Sequence, residues 1–209
     1  KFPGEWQALK KAAWGEFLDT LGIYGGFMDQ LRTALPKDAI FARDITQSTS
    51  TWGNRIFTLN SHRENIYPVS AGIGQGLPLA IGAAASGKKT LLLTGDGGFM
   101  LNFGELWTAI QEKLDLTIVI MNDGGYGVIK KLQNTLHGGR RYFADLVNPD
   151  FEQISRISGM GFWRCSSADS FGSIVAEALK RTGPNIVEVD MSAIGEFGNY
   201  FPFKAPPNG

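Results

Sequence analysis

Three short apolar runs punctuate the chain: Ala39-Ile40-Phe41-Ala42, Thr90-Leu91-Leu92-Leu93-Thr94 and Leu116-Thr117-Ile118-Val119-Ile120-Met121, each bounded by glycine or polar residues. Runs of this length, apolar on both alternating faces, are what parallel strands need when helices cover both sides of the sheet. Ile186-Val187-Glu188-Val189 reads as a further strand near the end of the chain, and Phe162-Trp163-Arg164-Cys165 as another. Between them the spacing changes to three and four. Phe27, Leu31 and Leu35 form one stripe, ended by Pro36; Phe103, Leu106, Trp107, Ile110 and Leu114 form a second, expected to face the sheet. Ile174, Val175, Ala178 and Leu179 form a third, stopped at Gly183-Pro184. Strands alternating with helices predict an α/β fold, a doubly wound, mainly parallel sheet with helices on both faces. The whole of 1–209 reads as one domain, with 1–22 a lead-in helix or linker and 200–209, rich in proline, an extended tail. No internal repeat is visible.

Composition narrows the function classes. The 209 residues carry 20 Lys+Arg and 20 Asp+Glu, and this balance gives no support to nucleic-acid or membrane-surface binding. Lys130-Lys131 and Arg140-Arg141 read as a solvated patch. The lone Cys165 reads as a buried, inert thiol. Without a signal peptide or long apolar run, a cytoplasmic protein is the default expectation. The chain begins at Lys1 rather than Met, which implies either removal of a segment or a longer polypeptide.

The chemistry concentrates at two strand ends. Gly95-Asp96-Gly97-Gly98 follows the run at 90–94, and Asn122-Asp123-Gly124-Gly125-Tyr126-Gly127 follows the run at 116–121. In a parallel sheet both ends lie on the edge where ligands of open α/β sheets bind. Glycines let backbone N–H groups approach a phosphate, and a following helix N-terminus favours negative charge. Two carboxylates there would repel a phosphate unless a divalent cation lay between, and oxygen-only ligands suit Mg²⁺ or Ca²⁺. Either segment alone is also what an ordinary strand-to-helix turn looks like. Gly72-Ile73-Gly74-Gln75-Gly76 lacks the spacing of a dinucleotide fingerprint.

The pair Gly95-Asp96-Gly97 and Asn122-Asp123, with Glu105-Leu106-Trp107-Thr108-Ala109 between, resembles the thiamine-diphosphate signature of the acetolactate synthase, pyruvate oxidase and benzoylformate decarboxylase group. The resemblance runs from about Tyr24 to Asp190 and covers that group's C-terminal, diphosphate-binding domain. It implies that Asp96 and Asp123 bind Mg²⁺ with the carbonyl of Gly125. It also implies that the N–H groups of Gly97, Gly98 and Tyr126 face the diphosphate. The family has Asn where this chain has Asp123, which adds a negative charge. Gln47-Ser48-Thr49-Ser50-Thr51 resembles the loop whose hydroxyls, here those of Thr49 and Ser50, bind the diphosphate. Ser70 to Pro78 resembles the segment that bends the cofactor: Ile73 is the wedge between its rings, and the Ala71 carbonyl accepts from the pyrimidine amino group. A plain core role is the other reading of Ile73.

The activating glutamate of such enzymes lies on a separate pyrimidine-binding domain, in the same or a partner chain, and no glutamate here matches it. The resemblance therefore implies the thiamine-diphosphate- and Mg²⁺-binding domain of a 2-oxo acid decarboxylase or carboligase that works as a homo-oligomer on a small 2-oxo acid. The segment from Met121 to Gly127 is closer to benzoylformate decarboxylases than to acetolactate synthases. The isolated chain would be inactive. A non-catalytic cofactor-binding or interaction module is the alternative. His62 and His137, the only histidines, read as surface residues.

Overall fold

A computed structural model describes residues 2–198; the tail predicted at 200–209 lies outside the described residues. The chain opens with α1 (Phe2–Thr20) and α2 (Phe27–Ala34), then enters β1 (Ile40–Arg43). A two-residue strand, β2 (Asn65–Ile66), precedes α3 (Gly76–Ala84) and β3 (Thr90–Gly95). Next come α4 (Asp96–Leu101), α5 (Leu106–Gln111), β4 (Leu116–Asn122) and α6 (Gly127–Leu136). The chain continues through α7 (Phe151–Ser158), β5 (Gly161–Cys165), α8 (Phe171–Lys180), β6 (Asn185–Asp190) and α9 (Met191–Ile194). The six strands form one sheet in the order β2-β1-β3-β4-β6-β5, and every pairing is parallel. Among the described residues no helix is long and apolar enough to cross a membrane.

Alternation along each strand feeds two cores. Leu91, Leu93, Val119, Met121, Val187 and Val189 face α2 and α8, with Trp52 and Phe171 packed among them. Leu92, Ile118, Ile120 and Ile186 face the other way, against Leu77, Phe99, Leu106 and Phe151. Each buried Leu or Ile contributes about 2 kcal/mol of transfer free energy, so the continuous apolar character of these strands, rather than hydrogen bonding alone, holds the sheet between its helical layers. The α2 and α8 stripes bury as their spacing predicts: Phe27 stacks on Phe171 at 4.2 Å, and Gln30 Oε1 accepts from Gly172 N at 2.8 Å. Cys165 is buried, with its thiol donating to the Ser167 carbonyl at 3.3 Å.

One stripe is corrected. Trp107 is 49% exposed, whereas Leu106 and Ala109 are fully buried. The cause is the tight three-residue turn Phe103–Glu105 that leads into α5. Such a turn advances about 120° per residue instead of 100°, so it rotates the α5 face that meets the sheet, and Trp107 keeps only an edge contact with Phe103 at 5.9 Å.

Topology places the site. After β1 the chain moves outward to β2, while after β3 it moves to β4 on the opposite side. The crevice at the carboxyl ends of β1 and β3 is therefore the switch point at which open α/β sheets bind ligands.

Candidate functional site

Four loops meet at that crevice around a cavity of about 310 Å³, within the usual size of small-molecule sites. The first follows β1 and begins with Asp44, whose side chain is fully buried. Its carboxylate accepts from Gly74 N at 3.0 Å, from Ile45 N at 2.7 Å and from Thr94 Oγ1 at 3.4 Å. Burial pushes the Asp44 pKa above its ordinary value, with the backbone N–H groups of Ile45 and Gly74 opposing it. Glycines are required around it: a Cβ on Gly76 would meet Asp44 Cβ at 2.6 Å, and one on Gly98 would meet Oδ2 at 2.7 Å. Sequence reasoning passed over Asp44, although an acid directly after a strand is the same signal that marked Asp96 and Asp123.

Gly74 is clamped from both sides. Its N–H goes to Asp44, its carbonyl accepts from Asn102 Nδ2 at 2.7 Å, and its φ of +91° favours glycine. The residues just before it, Ala71 and Ile73, line the cavity, and Ile73 is 37% exposed. Ile73 is thus presented at the cavity rather than packed in the core.

The hydroxyl-rich segment after β1 is arranged differently from the resemblance. Thr49 is fully buried, and its hydroxyl donates to the Asp44 carbonyl at 2.6 Å while accepting from Thr46 N at 2.8 Å. That side chain holds the turn together and is not on the cavity wall. Ser48 and Ser50 are on the wall, and Ser48 Oγ is buried with no protein partner.

The loops after β3 and β4 bring the acids together. Asp96, 1% exposed, opens α4, whose N-cap Gly95 supplies no side-chain cap; Gly97 and Gly98 line the cavity beside it. A Cβ on Gly97 would sit 2.7 Å from the Tyr126 ring, so that ring lies flush against the backbone. Asp96 Oδ2 accepts from Gly125 N at 2.8 Å and from Asn148 Nδ2 at 2.7 Å, whereas Oδ1 is buried without a partner. Asp123 also faces the cavity. Burial and then the adjacent Asp96 charge push its pKa up to about 7, with Lys130 opposing. Lys130 Nζ itself donates to the carbonyls of Asp123 at 2.8 Å and Gly124 at 3.0 Å. Gly125 lines the cavity, but Tyr126 N donates to the Ala144 carbonyl at 2.8 Å. Its N–H is therefore committed to the protein rather than turned toward a ligand. His62 and His137 are both exposed.

Two acids, one with an orphaned buried oxygen and the other pushed up in pKa by burial and by the adjacent charge, fit a divalent cation. A cation between them removes the repulsion and satisfies Oδ1. Among the described residues no group of three or more His, Cys, Asp or Glu could hold a metal ion, so Asp96 and Asp123 would need backbone oxygen, water or the phosphate itself to complete a shell. That is the usual manner of Mg²⁺.

Comparison with known proteins agrees with this geometry. Acetolactate synthase isozyme 1 large subunit of Escherichia coli (strain K12) is 30% identical over 184 residues, 84% of this chain and 32% of the relative. Benzoylformate decarboxylase of Pseudomonas aeruginosa is 25% identical over 168 residues, 79% of this chain and 32% of the relative. Among solved structures, the thiamine diphosphate-dependent 4-hydroxybenzoylformate decarboxylase of Rhodococcus jostii RHA1 matches with a TM-score of 0.69 at 27% identity, over 78% of this chain and 31% of that one. The chain thus spans about a third of the length of these relatives. Residues 44–189, which carry every loop of the cavity, match the family described as thiamine pyrophosphate enzyme, C-terminal TPP binding domain, and the chain belongs to that family.

Proposed function

We propose that the chain binds thiamine diphosphate through Mg²⁺ as part of a 2-oxo acid decarboxylase or carboligase. The observation that carries this reading is the pairing of Asp96, with its unpartnered Oδ1, and Asp123 at the switch-point cavity. In it, Asp96 and Asp123 hold the cation, together with the carbonyl of Gly125. Gly97 and Gly98 let the first amides of α4 approach the diphosphate, and Ser48 and Ser50 offer hydroxyls from the β1 loop. Tyr126 walls the cavity through its ring. Ile73, on the loop clamped by Asp44 and Asn102, would hold the cofactor from the cavity wall as the wedge, and the Ala71 carbonyl would accept from its amino group. Bound there, thiamine diphosphate would supply the nucleophilic and electron-accepting chemistry that 2-oxo acid decarboxylation needs.

The reading also includes a second domain. Ile73 at the cavity and Leu101, which abuts Gly74 and is 54% exposed, leave apolar surface beside the opening. The pyrimidine-binding domain of the same or a partner chain, carrying the activating glutamate, fits there. The 209-residue chain alone, saturated with thiamine diphosphate and Mg²⁺, is accordingly expected to release no carbon dioxide from pyruvate or benzoylformate. Release above a protein-free control would contradict this division of the site.

A further inference from the structure

Asn148 lies in the connection between α6 and α7, 52 positions from Asp96. Both ends of its segment are anchored. On one side, Tyr126 N donates to the Ala144 carbonyl at 2.8 Å and Leu146 N to the Gly124 carbonyl at 2.9 Å, strapping 144–146 against the Asp123 turn. On the other, Asp150 caps α7 by accepting from Glu152 N at 2.9 Å and Gln153 N at 3.1 Å, and Phe151 is buried in the core. Asn148 is thereby delivered to the floor of the cation site by tertiary structure alone.

Its hydrogen bonds are fixed by chemistry. Glu188 Oε1 can only accept, so it faces Asn122 Nδ2 at 2.7 Å; Gly124 N can only donate, so it faces Asn122 Oδ1 at 3.1 Å. Asn148 Nδ2 donates to that same Asn122 Oδ1 at 3.0 Å and to Asp96 Oδ2 at 2.7 Å. Glu188 Oε2 accepts in turn from Arg164 Nε at 3.0 Å. A continuous chain therefore runs across the carboxyl ends of β5, β6, β4 and β3, ending on Asp96. Within it, Asp96 Oδ1 and Asn148 Oδ1 are the buried oxygens left without a partner.

We propose that Asn148 is a positioning residue for the cation. By holding Oδ2, and by being held itself through Asn122, it turns Asp96 so that Oδ1 is the oxygen offered to the metal. This rests on the Mg²⁺-diphosphate reading above and adds a residue to it that touches neither substrate nor, through its amide nitrogen, the ion. Outer partners of this kind typically change metal affinity by about 10- to 100-fold when removed.

The test uses the full 209-residue chain with Mn²⁺ in place of Mg²⁺ and saturating thiamine diphosphate. Electron paramagnetic resonance gives the affinity and the spectrum of bound Mn²⁺, and circular dichroism the folded fraction. Asn148→Ala is expected to weaken Mn²⁺ binding by about tenfold per folded molecule and to alter the bound-ion spectrum. Asn122→Ala is expected to weaken it less, and the double variant no more than Asn148→Ala alone, because both act through one hydrogen bond to Asp96. If the wild type binds Mn²⁺ and Asn148→Ala binds it equally with an unchanged spectrum, whatever its melting temperature, the positioning role is overturned while the site stands. Absence of cofactor-dependent Mn²⁺ binding by the wild type would overturn the cation site itself, and the role of Asn148 with it.

Discussion

Two buried acid sites, one at each edge of the sheet, are handled in opposite ways. At the amino-terminal edge, Glu64 is 3% exposed just before β2; Arg32 from α2 pairs with Oε1, and Asn60 N donates to Oε2 at 2.6 Å. Glu64 there has its counter-charge in Arg32. At the carboxyl edge, Asp96 and Asp123 share one pocket, Asp96 Oδ1 has no partner, and the nearby cation, Lys130, is occupied by backbone carbonyls and Asp145. A matched buried acid is part of the architecture. A mismatched pair is destabilising in the protein alone, and it persists only where something else completes it.

Exchanging the two acids' fates gives the largest effects. Glu64→Ala leaves Arg32 partly buried and unpaired and is expected to cost about 3 kcal/mol of stability, with thiamine diphosphate affinity per folded molecule unchanged. Asp96→Asn relieves the repulsion with Asp123 and is expected to leave urea stability in chelator undiminished; because Gly125 N and Asn148 Nδ2 both donate to the Oδ2 position, the amide oxygen stays there and the NH2 group faces the cation, so Mg²⁺-dependent cofactor binding is expected to be lost. If Asp96→Asn proved as destabilising as Glu64→Ala, the contrast between the edges would collapse.

Ile73 sharpens the contrast at the next level. Because the side chain is partly exposed at the cavity, Ile73→Ala is expected to change stability by less than about 1 kcal/mol. In an assembly of this chain with a pyrimidine-binding domain, turnover is expected to fall by about a hundredfold as the cofactor relaxes from its bent form. A melting temperature that falls in step with activity would return Ile73 to a packing role.

The smallest effect belongs to Asp44. Its pKa is raised in the folded chain, so its contribution to stability is fully present below the ordinary value near 3.8 and is lost as pH rises through the folded value. Asn keeps an acceptor for Gly74 but does not titrate. In chelator, the stability of wild type relative to Asp44→Asn is therefore expected to fall as pH rises above the ordinary value near 3.8. Parallel curves for the two proteins would place the titration elsewhere.

The sheet and much of the site were legible in the sequence for a common reason: residues local to a strand or its end carry the signal. Buried parallel strands announce themselves as apolar runs, and Gly95 to Gly98 and Asn122 to Gly127 sit directly on strand ends. What sequence reading missed depends on contacts between distant segments. Asn148 reaches Asp96 only because a strap and a helix cap converge, and β2 is two residues long with no pattern of its own. Thr49 shows a third kind of failure. The resemblance implies a ligand contact for this hydroxyl, but in the fold it donates to the Asp44 carbonyl and accepts from Thr46 N within its own turn.

The central claim, that the mismatched acids are a cation site for a diphosphate, is tested most directly by calorimetric titration of thiamine diphosphate into the wild-type chain, Asp123→Asn and Asp123→Ala, each with Mg²⁺ and with chelator. Asp123→Asn keeps an oxygen ligand and removes one charge facing the diphosphate, so its Mg²⁺-dependent affinity is expected to equal or exceed wild type. Asp123→Ala is expected to bind at least about tenfold more weakly, and chelator to abolish the difference among the three. Equal affinities for all three proteins in Mg²⁺, or wild-type binding indifferent to chelator, would contradict the account.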